Sequence, residues 1–166
     1  MFSPFKVEGK KNILALMINI ILAEGAGILS RYLGMSNSQT YEVLIKPAFS
    51  PPSWLFGIVW PILYPLMGIA AYRIWMTGKR KINSRKALIL YCIQLLLNFM
   101  WTIIFFRWRL IGLAFFELML LLIFILLTTF EFFRLDKAAG FLMIPYILWV
   151  SFAGVLNFTL WMLNNM

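Results

Sequence analysis

The most distinctive chemistry in this sequence comes from tryptophans that share helical faces with amides. Asn98 precedes Trp101 by three residues, and Trp149, Ala153 and Asn157 follow one another at intervals of four. Residues three or four apart lie on one face of a helix. Each face therefore combines an aromatic plane with a hydrogen-bonding group. Such faces suit the wall of a mainly apolar ligand pocket with a few polar anchors.

A third such face lies in the stretch 46–68, KPAFSPPSWLFGIVWPILYPLMG, where Tyr64 follows Trp60 by four residues. Pro61 and Pro65 interrupt the same apolar run. A proline frees a carbonyl one turn earlier and bends the helix, and membrane helices tolerate this where neighbours or a cavity satisfy the freed group. The prolines predict a bend that turns the Trp60 face toward an interior space.

The segment before this run, 34–53, is polar and longer than a simple turn requires. Loops of such length are usually functional or disordered. Pro47, Pro51 and Pro52 stiffen its end, which predicts a lid held over the interior space. The three aromatic faces also have a purely structural interpretation, because large rings fill helical cores and asparagine often links membrane helices. Spacing alone leaves both interpretations open.

Two acids fall inside apolar runs, Glu24 near the middle of the first and Glu117 about two turns into the fourth. A carboxylate within the membrane indicates a functional site by default. Glu24 stands in the sequence EGAG, where small neighbours allow close helix approach, so a structural hydrogen bond is an equal alternative.

Several kinds of chemistry are absent from the sequence. It contains no histidine and only one cysteine, Cys92. Histidine is the commonest metal ligand and general base. No nucleophile–base pair or metal-ligand cluster indicates hydrolytic or metal catalysis. We expect no metal and no cofactor.

The elements that must position these side chains are membrane helices. The chain has 166 residues, of which 63% are hydrophobic and 13% charged, against about 25% charged in soluble domains. Crossing a bilayer takes about 20 apolar residues, and five runs are long enough. The sequence predicts an all-α membrane protein, a five-transmembrane-helix bundle in a single domain 1–166, with helices at about 12–33, 54–77, 86–108, 110–133 and 137–162.

The basic residues are divided unequally between the two ends of this bundle. Arg31, Lys46, Arg107 and Arg109 lie at the end that carries the first loop, and the other eleven of the 15 basic residues lie at the N-terminal end. The positive-inside rule predicts a cytoplasmic N-terminus in a bacterial cell membrane. This asymmetry explains most of the net charge of +9. We expect no nucleic-acid binding, since no basic face interleaves with exposed aromatics.

Three blocks give the chain a family resemblance: KPAFSPPSWLFGIVWPILYPLMGIAAYRIW at 46–75, LNFMWTIIFF at 97–106 and PYILWVSFAGVLNFTLWMLN at 145–164. They resemble the TspO/MBR family of tryptophan-rich sensory proteins, which is related to the mitochondrial translocator protein or peripheral benzodiazepine receptor. The resemblance implies five helices in the lipid bilayer, often as a homodimer, with a pocket beneath the first loop that binds porphyrins such as protoporphyrin IX.

The resemblance also implies roles for particular residues. Some bacterial members are reported to degrade porphyrin in light, and the two tryptophans tied to that reaction match Trp60 and Trp149. Thr102 keeps a hydroxyl where many members have Ser. Together, the helical faces and the family blocks predict a ligand-binding set of Pro47, Trp54, Trp60, Tyr64, Asn98, Trp101, Thr102, Trp149, Ala153 and Asn157.

One departure concerns sterols. The animal proteins carry a proposed cholesterol motif, Tyr and then a basic residue, in the last helix. Here Phe158 replaces the Tyr and no Lys or Arg follows, so we do not expect cholesterol recognition by that route.

Three functions remain open from the sequence. The first is a receptor or sensor for porphyrins and related apolar ligands. The second is an enzyme that degrades protoporphyrin IX with light and oxygen, using the oxidisable Trp60 and Trp149. The third is a tetrapyrrole or sterol transporter, which the lack of a paired inverted repeat makes less favoured.

Overall fold

The computed structural model describes residues 5, 7, 12–34, 40–79 and 83–164. Five long α-helices account for most of them: α1 (Ile13–Gly34), α2 (Ser53–Gly78), α3 (Arg85–Thr102), α4 (Ile111–Leu135) and α5 (Lys137–Asn164). Each is long and apolar enough to cross a membrane, α3 together with the short segment that follows it. The all-α, five-helix prediction is confirmed, and the helix ends lie within two residues of those expected when the segment Ile103–Arg107 is counted with α3, which itself ends six residues early at Thr102.

The helices form a ring in the order α1, α2, α5, α4, α3. Each packs most closely on its two neighbours in this order, and α2 also reaches α3 and α4 across the interior. The interior faces carry the large buried side chains, among them Tyr72, Tyr146 and Phe132. Large apolar side chains such as Ile21, Leu96 and Phe130 point outward, as expected of surfaces that face lipid.

Two features of the helices depend on local backbone chemistry. α2 runs without interruption through Pro61 and Pro65. α3 passes directly into a π-helical segment, Ile103–Arg107, in which the Trp108 amide donates to the Ile103 carbonyl at 3.0 Å. Only three residues separate this segment from α4, and Arg109 takes a left-handed backbone conformation there (φ 57°).

The end of the bundle opposite the first loop is closed by ion pairs. Arg73 of α2 donates to Asp136, between α4 and α5, at 2.9 and 3.1 Å, and both side chains are about nine-tenths buried. Asp136 also accepts the Ala139 amide at 3.0 Å, so it caps α5. Glu131 of α4 binds Lys86 of α3 at 2.6 Å. Four helices are thereby tied together at this end.

The described part of the first loop lies against the other end. The Thr40 hydroxyl donates to the Phe106 carbonyl at 3.2 Å, and the buried Tyr41 hydroxyl donates to the Pro51 carbonyl at 2.9 Å. Ile45 exchanges backbone hydrogen bonds with the Asn164 side chain at 3.0 and 3.1 Å. The loop is therefore fastened to the π segment, to itself and to the end of α5.

Candidate functional site

A cavity of about 520 Å³ lies between α1, α2 and the end of α3, in the half of the bundle nearest the first loop. Six of the fifteen residues that line it are aromatic. The side chains and glycines that line it are Glu24, Gly27, Ile28, Arg31, Ser53, Trp54, Phe56, Gly57, Ile58, Trp60, Pro61, Tyr64, Trp101, Thr102 and Phe106.

The α2 wall of the cavity follows from helical spacing. Gly57, Trp60 and Tyr64 succeed one another at intervals of three and four, so they share a face. The rings of Trp60 and Tyr64 stack with centroids 5.3 Å apart and an interplanar angle of 29°. A flat aromatic surface therefore extends along one side of the cavity, and such surfaces favour offset stacking with other aromatic rings.

Two glycines shape the cavity beside this wall in different ways. A Cβ at Gly27 of α1 would run into the Tyr64 ring, whereas a Cβ at Gly57 would meet no atom within 4 Å. Gly27 thus allows α1 and α2 to approach each other. Gly57 instead leaves open volume that a larger residue would fill.

A chain of hydrogen bonds forms behind the Tyr64 ring. The Tyr64 hydroxyl donates to Oδ1 of Asn98 at 2.7 Å, and Nδ2 of Asn98 donates to the Tyr146 hydroxyl at 2.9 Å. All three side chains are buried. Buried polar groups are stable in an apolar bundle only when they are paired. The chain joins α2, α3 and α5 and fixes the orientation of the Tyr64 ring.

A second link holds Trp101. Its indole N–H donates to Oδ1 of Asn157 at 3.2 Å, and Nδ2 of Asn157 donates to the Ile111 carbonyl at 2.9 Å. The Trp101 ring also stacks on Phe105 of the π segment, with centroids 5.1 Å apart. Asn157 therefore positions a cavity wall from behind without lining the cavity itself.

Trp149 lies one layer away from the cavity. Its ring contacts Phe56, a lining residue, edge-on at 5.7 Å, and Phe152 at 5.7 Å. Its buried indole N–H has no hydrogen-bond partner among the described residues. Ala153, one turn further along α5, is partly buried against the same core.

Of the predicted ligand-binding residues, five line the cavity: Trp54, Trp60, Tyr64, Trp101 and Thr102. Asn98 and Asn157 support two of these through hydrogen bonds. Trp149 and Ala153 lie outside the lining, and so does the loop residue Pro47.

The charged groups of the site lie near its mouth and along α1. Glu24 and Arg31 both line the cavity from α1, and Arg31 is in the last turn of that helix. Lys46 of the loop is held by Glu42 at 2.9 Å. Hydrogen bonds from Ser53 and Lys46, together with the charge on Lys46, lower the pKa of Glu42 below its usual value. The other predicted acid, Glu117, does not line the cavity, and its carboxylate has no partner among the described residues.

Sequence reasoning missed several residues that shape the site. Gly27, Gly57 and Phe56 form its walls, and Phe106 reaches it through the π segment. Gly57 precedes Trp60 by one helical turn, so its position on the same face was open to detection from spacing. Tyr146 was missed because its contact with Asn98 depends on which helices are neighbours.

Comparison with known proteins gives a consistent result. The TspO/MBR family model matches residues 17–162. The chain is 44% identical to the tryptophan-rich protein TspO of Chlorobaculum tepidum, over 91% of this chain and 95% of that protein. It is 35% identical to the tryptophan-rich sensory protein of Cereibacter sphaeroides, over 90% and 92% of the two chains. It is 34% identical to the human translocator protein, over 85% and 84%.

Proposed function

Because this chain belongs to the TspO/MBR family and is a multi-pass integral membrane protein, we propose that it is a receptor or sensor that binds porphyrins, such as protoporphyrin IX, and related apolar ligands. The observation that carries this proposal is the aromatic cavity in the half of the bundle nearest the first loop. Its volume of about 520 Å³ falls within the range of about 300–1,000 Å³ that small-molecule sites occupy.

The chemistry of the cavity matches that of a porphyrin, a flat aromatic ring system with two carboxylates. The macrocycle would stack on the surface formed by Trp60 and Tyr64, and aromatic pairs of this kind contribute about 0.5–1.5 kcal/mol beyond the burial of area. The carboxylates would lie at the mouth, where Arg31 lines the cavity. A guanidinium presents a fork of donors that matches a carboxylate.

The loop has a place in this proposal as a lid. Its contacts to Phe106, Pro51 and Asn164 hold it over the loop end of the bundle. The contact to Asn164 consists of two hydrogen bonds, and the buried Tyr41 ring also packs edge-on against Phe56. Each hydrogen bond is worth about 0.5–1.5 kcal/mol, and none of these contacts joins one helix to another, so the loop can leave without disrupting the helices. Proteolysis within 40–45 should slow when protoporphyrin IX is added, and equal cleavage rates would count against the lid.

A matched pair of glycine variants tests the binding site. Gly57→Leu fills open space inside the cavity. Gly25→Leu adds the same atoms at a helical glycine that, like Gly57, is exposed and has open space around it, but that does not line the cavity. In a spectral titration with protoporphyrin IX, Gly57→Leu should weaken binding at least about fivefold, since overfilling a site costs about 1–3 kcal/mol.

The control should bind as the parent does. Equal affinities for the parent and Gly57→Leu would show that the ligand binds elsewhere.

One observation favours a second candidate function, the light- and oxygen-dependent degradation of the bound porphyrin. The Trp60 ring lines the cavity and stacks on Tyr64, so an oxidisable indole would lie against the macrocycle. Trp149 is separated from the cavity by the Phe56 ring. In this proposal Trp60 contacts the ligand, and Trp149 acts one aromatic ring further away. A comparison of porphyrin absorbance over time, in light and in darkness, separates a degrading enzyme from a receptor.

A further inference from the structure

A second depression lies at the end of the bundle opposite the aromatic cavity. It has a volume of about 580 Å³ and lies between the end of α2 and the beginning of α3. Gly78, Ser84 and Arg85 form its polar end, and Leu88, Ile89 and Cys92 line it further along α3. It shares no residue with the aromatic cavity.

The polar end contains the hydroxyl of a largely buried serine, which bonds to no other residue in the described part of the chain. Ser84 is only 8% exposed, and its side chain does not cap α3 or bond to another described residue. The hydroxyl lies directly over Gly78, where a Cβ would collide with it. Ser84 lines the depression, so its hydroxyl is available to a group that enters there.

Two further features make this end attractive to an anion. α3 begins at Arg85, and the first amides of a helix have no partners within it. Such a terminus attracts phosphate through these amides and the helix dipole. The Asn83 side chain accepts a hydrogen bond from the Arg85 amide at 3.2 Å. The Ser84 side chain does not cap the helix, so it accepts no hydrogen bond from the amides that follow.

Arg85 supplies a positive charge that no described residue neutralises. The other cations described nearby are engaged: Lys86 and Arg134 with Glu131, Arg73 with Asp136, and Lys79 over the Trp75 ring at 3.9 Å. In contrast, the exposed guanidinium of Arg85 makes no ion pair or hydrogen bond within the described part of the chain. The sequence KRKINSRK at 79–86 holds five basic residues and no acid.

The rest of the depression is apolar and follows a helix that spans the membrane. Leu88 and Cys92 lie one turn apart on α3, and Cys92 is about 10 Å along the axis from Arg85, at 1.5 Å per residue. Free phosphate would use only the polar end. A ligand with a charged head and a hydrocarbon tail would use both parts.

We propose that this depression, formed by Gly78, Ser84, Arg85 and the Leu88–Cys92 face of α3, is a binding site for one anionic phospholipid. The phosphate lies at the Ser84 hydroxyl, the Arg85 guanidinium and the first amides of α3. An acyl chain follows Leu88 and Cys92 into the membrane. Basic pockets beside membrane helices bind acidic headgroups in this way.

The single cysteine of the chain, Cys92, is exposed inside the proposed site and reports directly on its occupant. The full-length protein, labelled there with a small fluorophore, is reconstituted in phosphatidylcholine vesicles. Quenching by acyl-brominated phosphatidylglycerol is compared with quenching by acyl-brominated phosphatidylcholine at equal mole fractions. The ratio of the two gives the relative occupancy of the site.

In the parent protein, phosphatidylglycerol should occupy the site about fivefold better than phosphatidylcholine, the preference expected of one basic side chain near an anionic group. Arg85→Gln should bring the ratio close to one. Lys137→Gln is the control, because it removes an equal charge from an exposed residue at the same end of the bundle, outside the site. It should keep the parent's ratio.

Three results would overturn the proposal. Equal quenching by the two lipids in the parent would remove the selectivity for anionic lipid. Quenching by neither lipid would show that Cys92 is covered, for example by a second copy of the chain. Relief of quenching by inorganic phosphate in the buffer would reassign the site to a free anion.

Discussion

The two ends of this bundle are built from different kinds of contact. At the loop end, α1, α2 and α3 enclose an aromatic cavity, and neutral side chains make the deep hydrogen bonds. At the other end, the ion pairs Arg73–Asp136 and Lys86–Glu131 tie four helices together. The loop end leaves space for a ligand between its helices, whereas ion pairs hold the helices together at the other end.

The difference shows how a small membrane bundle can hold an internal cavity and stay folded. A cavity removes contacts that would otherwise stabilise its walls. The ion pairs at the far end and the Tyr64–Asn98–Tyr146 chain in the middle keep the ring of helices closed. Changes at the two ends should therefore have separate consequences, for stability at one end and for binding at the other.

The largest effect on stability should come from Asp136→Asn. Asparagine can still cap α5, but the change removes the carboxylate charge of Asp136 from its buried ion pair with Arg73. Breaking a buried ion pair from one side costs about 3–5 kcal/mol, so thermal unfolding in detergent should occur at a much lower temperature. Arg134→Gln is the control, because its partner Glu131 keeps Lys86 and Arg134 itself is mostly exposed. A similar loss in both variants would contradict the distinction between buried and exposed pairs.

The next effect should come from the middle of the bundle. Asn98→Leu removes both the acceptor for Tyr64 and the donor for Tyr146. A buried group left unpaired costs about 1–3 kcal/mol, and the Tyr64 ring loses its fixed orientation. We expect lower thermal stability together with weaker protoporphyrin IX binding. Tyr91→Phe removes a buried hydroxyl that has no partner among the described residues and should destabilise less. The reverse order would show that the chain of hydrogen bonds is unimportant.

A smaller effect on stability, but a large one on chemistry, should follow from the double variant Trp60→Phe, Trp149→Phe. The smaller rings leave a cavity cost on the order of 1 kcal/mol. We expect it to bind protoporphyrin IX within about tenfold of the parent, because the aromatic face is kept, and to lose light-driven degradation. Trp108→Phe, at an exposed position, should degrade porphyrin as the parent does. If the double variant also degrades porphyrin at the parent's rate, the assignment of these tryptophans is wrong. If the parent itself degrades no porphyrin in light, the protein is a receptor.

The smallest effect concerns the loop. Hydrogen bonds with Ser53 and Lys46 lower the pKa of Glu42. The contact therefore stabilises the loop at pH values above the ordinary pKa of glutamate, and this stabilisation is lost as the pH falls through the lowered pKa. An NMR titration of the Glu42 carboxyl should give a pKa below 4.5, the unperturbed value. Lys46→Gln should move that pKa upward. A pKa of 4.5 or above in the parent would show that the loop contact is absent.

Much of this architecture could be predicted from sequence, and the omissions have physical causes. Long apolar runs predict membrane helices, because any such segment must satisfy its backbone internally. Aromatic residues at helical spacing, such as Trp60 and Tyr64, predict a shared face. Gly57 has no side chain, so nothing in a hydrophobic pattern marks the volume it leaves open. The π segment Ile103–Arg107 depends on a shift in hydrogen bonding that hydropathy does not record.

Contacts between helices were harder to foresee. Asn98 was predicted as a polar anchor for a ligand, and the structure shows it bonded to Tyr64 and Tyr146. That pairing requires α2 and α5 to face α3 across the interior of the ring. The order of the helices in the ring cannot be inferred from the sequence of any single helix. The same reason explains why Trp149 was predicted among the ligand-binding residues and yet is separated from the cavity by Phe56.

The most direct test of the separation between the two ends is the change in thermal unfolding temperature on adding protoporphyrin IX to the parent, Gly57→Leu and Asp136→Asn. A ligand that binds only the folded state raises this temperature. We predict that Gly57→Leu unfolds near the parent's temperature and shows little increase with ligand, whereas Asp136→Asn unfolds much earlier and shows an increase like the parent's. A full ligand-induced increase in Gly57→Leu would contradict the account, because the aromatic cavity could then not be the binding site.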